Sequence, residues 1–175
     1  TPNDPELLEL RATIAGYYPD HALQITDYSA AIEALQARAP RPIVDLQRLH
    51  RHRGEAYAHT GQWEEAIADY DQASHLRPQC AGVYYRRGLA HVETGEIDRA
   101  IADFTEAIRL NPDNAEAWYE RAFAHAHRGD LKCVVADATE AICRCGHLAE
   151  AYTLRGYSFR KLGQVDQATA DFTRA

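Results

Sequence analysis

The chain has 175 residues, enough for one domain or one short repeat array. Apolar residues make up 46% and charged residues 26%, near globular averages, so disorder is not the default. The net charge is −7 without a long basic run, which argues against a nucleic-acid partner, and no apolar run approaches the roughly 20 residues that span a bilayer, which argues against a membrane one. No secretory signal pattern opens the chain, which begins at Thr1 rather than Met, as a processed or trimmed product does. Cys80, Cys133, Cys143 and Cys145 do not read as a disulfide framework, because a chain this long can build an ordinary core; a reducing, cytoplasmic setting is expected.

The first predicted elements lie in residues 1–46. Asp4-Pro5-Glu6 has the form of a helix start, with Asp as cap and Pro in the first turn. Leu7, Leu10 and Ile14 then form an apolar stripe. Tyr18-Pro19-Asp20 breaks it and starts a second helix, in which Ala22, Ile25, Ile32 and Leu35 share a face. Pro40 and Pro42 mark a second break. This segment reads as a divergent helical pair capping an array formed by the rest of the chain, since the end of an array must tolerate water on its outer face. The alternative is a segment that packs on a partner or folds back into a groove of the array.

From residue 47 the sequence repeats with a step of 34. Gly54, Gly88 and Gly156 share one position, with Ala122 in the remaining copy. Gly61, Gly95, Gly129 and Gly163 share another; so do Ala66, Ala100, Val134 and Ala168, and Ala73, Ala107, Ala141 and Ala175. Tyr70, Phe104 and Phe172 form an aromatic series broken by Ala138. Pro78 and Pro112 close the first two copies and Gly146 stands at the same place in the third. In the second copy Ala100, Phe104 and Ala107 recur at i, i+4 and i+7, one face of a helix. Gly95 supplies the turn before it, Asn111-Pro112 ends it, and Asn114 can cap the next helix. In the third copy Val134 replaces a small residue while Ala138 replaces a large one, a volume-conserving exchange.

A helix–turn–helix of 34 residues with small residues, an aromatic and a closing Pro at set places resembles the tetratricopeptide repeat. The copies span 47–80, 81–114, 115–148 and a shortened 149–175, about three quarters of the chain. The resemblance implies an all-α, right-handed superhelical solenoid of antiparallel helix pairs. The chain stops inside the second helix of the fourth copy, as a piece of a longer protein would, or one whose end packs on another molecule.

Two charged series keep the same step: Arg53, Arg87, Arg121 and Arg155, and Asp69, Asp103, Asp137 and Asp171. Helical geometry turns Arg87 away from Tyr85 and Leu89, toward the layer of second helices, and Asp103 flanks the apolar stripe. A partly buried Arg–carboxylate pair is expected, one that fixes geometry more than it adds stability. Repetition in all four copies marks it as scaffold, not as a catalytic or anion site.

In the family that the repeat resembles, first helices line a concave groove that holds ligand peptides. The residues facing it here would be Arg48, Arg51 and Glu55, then Tyr85, Leu89 and Val92, then Tyr119 and Phe123, and finally Tyr157 and Arg160. Its middle is aromatic and aliphatic and its ends are basic, the makeup of a binding surface. Some family members grip a C-terminal carboxylate with Lys and Asn; Arg51, Glu55 and Glu120 depart from that pattern, and a hydrophobic strand or amphipathic helix fits better.

The stretch CRCGH, Cys143 to His147, brings thiols and an imidazole together, good zinc or copper ligands that lack an evident fourth partner. His91 and His125 stand where other copies have Tyr57 and Phe159, and read as packed aromatics. No phosphate loop, nucleophile elbow or HExxH occurs, so no catalytic residue, resident metal or cofactor is expected. The sequence therefore points to a protein–protein interaction scaffold or adaptor that binds a peptide or helix, and not to an enzyme. The alternatives are a self-associating assembly module and a metal-binding module at Cys143–His147.

Overall fold

A computed structural model describes residues 8, 11, 20–37 and 43–175. Among the described residues there are nine α-helices and no strand. They are α1 (His21–Gln36), α2 (Ile43–His59), α3 (Trp63–Leu76), α4 (Ala81–Glu93), α5 (Ile97–Leu110), α6 (Ala115–Arg128), α7 (Leu131–Arg144), α8 (Ala149–Lys161) and α9 (Val165–Arg174). The chain divides between Thr94 and Gly95 into two compact units, α1–α4 and α5–α9.

Within each unit every helix packs on the next, and the short connections make neighbours antiparallel. The first helices of successive copies also touch, α2 with α4 and α6 with α8. This is the expected all-α solenoid of helix pairs. The turns at Gly61, Gly95, Gly129 and Gly163 all have left-handed φ, between 74° and 87°. A Cβ at any of them would meet nothing within 4 Å, so the requirement there is backbone conformation and not space. Asn114 caps α6 by accepting from the Glu116 and Ala117 amides at 3.1 and 3.4 Å, and Asp20 caps α1 by accepting from the Leu23 amide at 3.0 Å.

The core is built from the repeated small and aromatic positions. Ala66, Tyr70 and Ala73 on α3 are buried against Val83 and Ala90 of α4. Gly54 is the complement of Tyr70: a Cβ added there would lie 2.8 Å from the Tyr70 ring. Gly156 and Phe172 repeat that pairing, also at 2.8 Å. In the third copy Ala122, Val134 and Ala138 are fully buried in one cluster. The exchange is therefore wider than the one between Val134 and Ala138 read from the sequence. Where the aromatic shrinks to Ala138, the glycine opposite grows to Ala122, and volume is kept across three sites.

The stripe expected on the second leading helix is rotated. The buried residues of α1 are Gln24, Asp27, Tyr28, Ala31, Ile32 and Leu35, while Ala22 is exposed and Ile25 half-buried. Two polar residues hide the period. Asp27 is buried with Arg11 3.2 Å from its carboxylate, and Tyr28 packs with Leu8, Leu46 and Leu49. Leu8 and Arg11 are helical, and Leu8 belongs to this core. Asp4 to Leu7, Leu10, Ile14, Tyr18, Pro19, Pro40 and Pro42 lie outside the described residues.

Candidate functional site

The arginine series is held by charge-assisted forks. Arg53 donates through Nε and Nη2 to Asp69 at 2.7 and 2.8 Å, Arg121 to Asp137 at 2.8 and 2.7 Å, and Arg155 to Asp171 at 2.8 and 2.7 Å. The remaining Nη1 reaches back to a hydroxyl on the preceding helix: Ser29 for Arg53, Thr105 for Arg121 and Thr139 for Arg155. Each guanidinium thus ties three successive helices. Arg87 likewise reaches back to Asp71 at 2.6 Å and Ser74 at 3.2 Å on α3. Asp69, Asp103, Asp137 and Asp171 are all buried. In Arg53, Arg121 and Arg155 each of the three guanidinium nitrogens is hydrogen-bonded within the helix array.

The first-helix face of the first unit is polar on α2 and apolar on α4. Arg48 is exposed, and its guanidinium lies 3.4 Å from Asp45. Glu55 is half-buried and is met by three side chains: Arg51 at 2.8 Å, His52 at 3.1 Å and Arg86 from α4 at 2.8 Å. Burial alone would raise its proton affinity; the His52 hydrogen bond and the charges of Arg86 and Arg51 outweigh that and hold it below the usual carboxylate range. Tyr85, Leu89 and Val92 on α4 are half-buried. Sequence reasoning places Glu55 on this face but misses Arg86, which neutralises it.

The second unit presents a different surface. Tyr119 and Phe123 on α6 lie with ring centroids 6.5 Å apart, and His127 meets Phe123 edge-on at 4.7 Å. Tyr157 on α8 is 48% exposed, packs edge-on against Phe172 at 5.2 Å and carries the Arg160 guanidinium over its ring at 4.9 Å. Around the α6 aromatics stand Glu116, Glu120 and Glu150. Burial, then Glu120 and Glu150, push the Tyr119 hydroxyl above its ordinary pKa. Glu120 is half-buried and has neither hydrogen bond nor ion pair among the described residues. Burial, followed by the charge of Glu116, raises its proton affinity. Glu120 stands one repeat step after Arg86, with opposite charge.

The cysteine-rich stretch does not converge. Cys145 Sγ lies 3.6 Å from His147 Nε2, while Cys143 is exposed on α7. Among the described residues no three His, Cys, Asp or Glu side chains gather where an ion could be held. His50 and His52 diverge as helical neighbours two apart must: His50 points to buried Asp69 at 2.8 Å and His52 to Glu55. His91 and His125 are buried, as packed aromatics would be. The stack of His21 on His59, centroids 4.8 Å apart, has no sequence signal. No described helix is long and apolar enough to cross a membrane.

Family models described as tetratricopeptide repeat match residues 85–132 and 149–175, and one described as TPR repeat matches residues 54–95. No curated protein matches the chain. Among solved structures, one described as "Crystal structure of MamA protein" aligns at TM-score 0.85 and 22% identity, covering 97% of this chain and 88% of its own. A second MamA structure aligns at TM-score 0.74 and 25% identity over 90% and 91% of the two chains. A structure described as "Crystal structure of YrrB: a TPR protein with an unusual peptide-binding site" aligns at TM-score 0.81 and 15% identity over 99% and 86%. At these identities the likeness is one of fold.

Proposed function

The chain belongs to the tetratricopeptide repeat family, and from that premise we propose that it is an interaction scaffold whose first-helix faces bind a peptide or helical segment of a protein partner. The observation that carries this reading is the set of aromatic side chains on α6 and α8. Tyr119 and Phe123 are half-buried and Tyr157 is 48% exposed, whereas Val134, Ala138 and Ala141 of the second-helix layer are fully buried. Exposed aromatic area next to charged residues is a common hot-spot composition. YrrB is described as a TPR protein with an unusual peptide-binding site, which supports the reading by analogy of fold.

The test is binding of peptides selected by display on the wild-type chain. The double variant Tyr119→Ala/Phe123→Ala should lose at least about tenfold in affinity while keeping its helical circular dichroism. Undiminished binding by the folded variant refutes the site.

A second reading, self-association, draws on a different observation: Val165 and Phe172 on α9 are 63% and 39% exposed, whereas the repeat equivalents of Phe172, Tyr70 and Phe104, are buried. Light scattering over a range of concentrations tests it; a monomer throughout removes it. Residues 1–46 are proposed as the cap of the array, a role that the burial of Leu8 in the α1–α2 core supports.

A further inference from the structure

We infer that the α6–α8 face takes an arginine side chain of the bound segment, its guanidinium seated between the carboxylate of Glu120 and the rings of Tyr119 and Phe123. The inference rests on the first-helix faces being the binding surface, and it adds the chemistry of the partner.

Two half-buried glutamates on first helices have opposite surroundings. Glu55 is met by Arg51, His52 and Arg86, so its charge is satisfied inside the first unit. Glu120 has no hydrogen bond or ion pair among the described residues; the charge that acts on it is that of Glu116, and it in turn acts, with Glu150, on the Tyr119 hydroxyl. Four arginines of the second unit are engaged elsewhere. Arg121 is forked on Asp137, Arg128 spans Asp98 and Asp130, Arg144 holds Glu140, and Arg160 lies over Tyr157. A carboxylate that burial penalises and no cation offsets weakens the folded state. It is suited to gripping a positive charge brought from outside.

The aromatic rings narrow the choice of cation. Tyr119 precedes Glu120 by one residue and Phe123 follows it by three on the same helix, with the two ring centroids 6.5 Å apart, and a planar guanidinium can stack on a ring while donating sideways to an acid. The protein uses the same combination internally. Arg121 lies 4.9 Å from the Trp118 ring while forked on Asp137, and Arg155 lies 5.6 Å from Tyr152 while forked on Asp171. At Glu120 the acid and the rings are present and the guanidinium is left for a partner to supply.

The experiment uses a fluorescein-labelled nonapeptide of three Leu-Leu-Arg repeats and its counterpart with citrulline, the neutral isostere of arginine. Binding to the full chain is followed by fluorescence anisotropy. Wild type should bind the arginine peptide roughly tenfold tighter than the citrulline peptide, the worth of one charge-assisted contact. Glu120→Gln should abolish that preference while leaving citrulline-peptide binding in place. Its urea midpoint should stay the same or rise, because a disfavoured charge is removed; this separates loss of recognition from loss of fold. Equal binding of the two peptides to wild type, no binding of either, or a preference that survives Glu120→Gln overturns the inference. If the citrulline peptide binds wild type and is lost on Tyr119→Ala/Phe123→Ala while no charge preference exists, the groove reading stands and the arginine inference falls. If that double variant binds both peptides like wild type, the groove reading itself falls.

Discussion

Replacing Asp69 with Ala isolates the clamp that recurs through the array. Asp69 is 3% exposed and accepts three contacts: Arg53 Nε at 2.7 Å, Arg53 Nη2 at 2.8 Å and His50 Nδ1 at 2.8 Å. The substitution strands a guanidinium whose side chain is 20% exposed and an imidazole that is 7% exposed. Breaking a buried pair by removing one partner costs about 3–5 kcal/mol. Arg53 keeps its bond to Ser29 and a partial path to water, which places Asp69→Ala near the lower end, about 3 kcal/mol. Asp69→Asn retains one acceptor oxygen and should cost about half as much. Arg53→Ala leaves Asp69 the His50 contact and should cost about 2 kcal/mol. The double variant should fall short of the sum of the two alanine variants by about 1–2 kcal/mol, since both remove one interaction. Urea unfolding followed by far-ultraviolet circular dichroism measures all four. A cost below about 1 kcal/mol for Asp69→Ala, or strict additivity, would show that the carboxylate is solvated and the clamp is incidental.

Two further outcomes rest on the geometry. Gly54→Ala should destabilise by about 1–3 kcal/mol, because the new methyl meets Tyr70, which is 1% exposed and has nowhere to move. Gly156→Ala meets Phe172 at the same distance, but that ring is 39% exposed and can swing outward, so the gain in helix propensity of up to about 1 kcal/mol should leave the variant near neutral; equal shifts in thermal melts would refute the distinction. Burial lowers the proton affinity of His125, partly opposed by Asp137 at 3.7 Å. The unfolded chain therefore takes up this proton at higher pH than the folded one, and stability present above the ordinary histidine range is lost as pH falls through it. His125→Phe, the residue type at the equivalent Phe159, should flatten the urea midpoint between pH 7 and about 5.5; an unchanged slope would assign the titration elsewhere.

The legible parts of the fold share one property: their signal repeats. Gly61 to Gly163 announce the turns because a left-handed φ is a local demand that glycine meets wherever it recurs. Ala66, Tyr70 and Ala73 announce a buried face because burial follows the helical period. The α1 face differs from its apolar pattern because Asp27 and Gln24 are buried on the helix that packs on α2, and the approach of Arg11 to Asp27 is one that no period in α1 reports. Arg86 on Glu55 escapes the sequence for a similar reason. The pair joins residues 31 positions apart on neighbouring first helices, a distance set by how helices stack and not by the 34-residue step.

The candidate site divides along the same line. That Tyr119, Phe123 and Tyr157 share the face opposite the arginines follows from 100° per residue and needs no structure. That Glu55 is neutralised while Glu120 is left with a costly charge does not follow from either residue's position. It depends on which cations the packing of α2 on α4, and of α6 on α8, brings within 3 Å. Periodic burial and backbone conformation are properties of one helix and are written along it. Charge compensation is a property of neighbours, and only the tertiary arrangement chooses them.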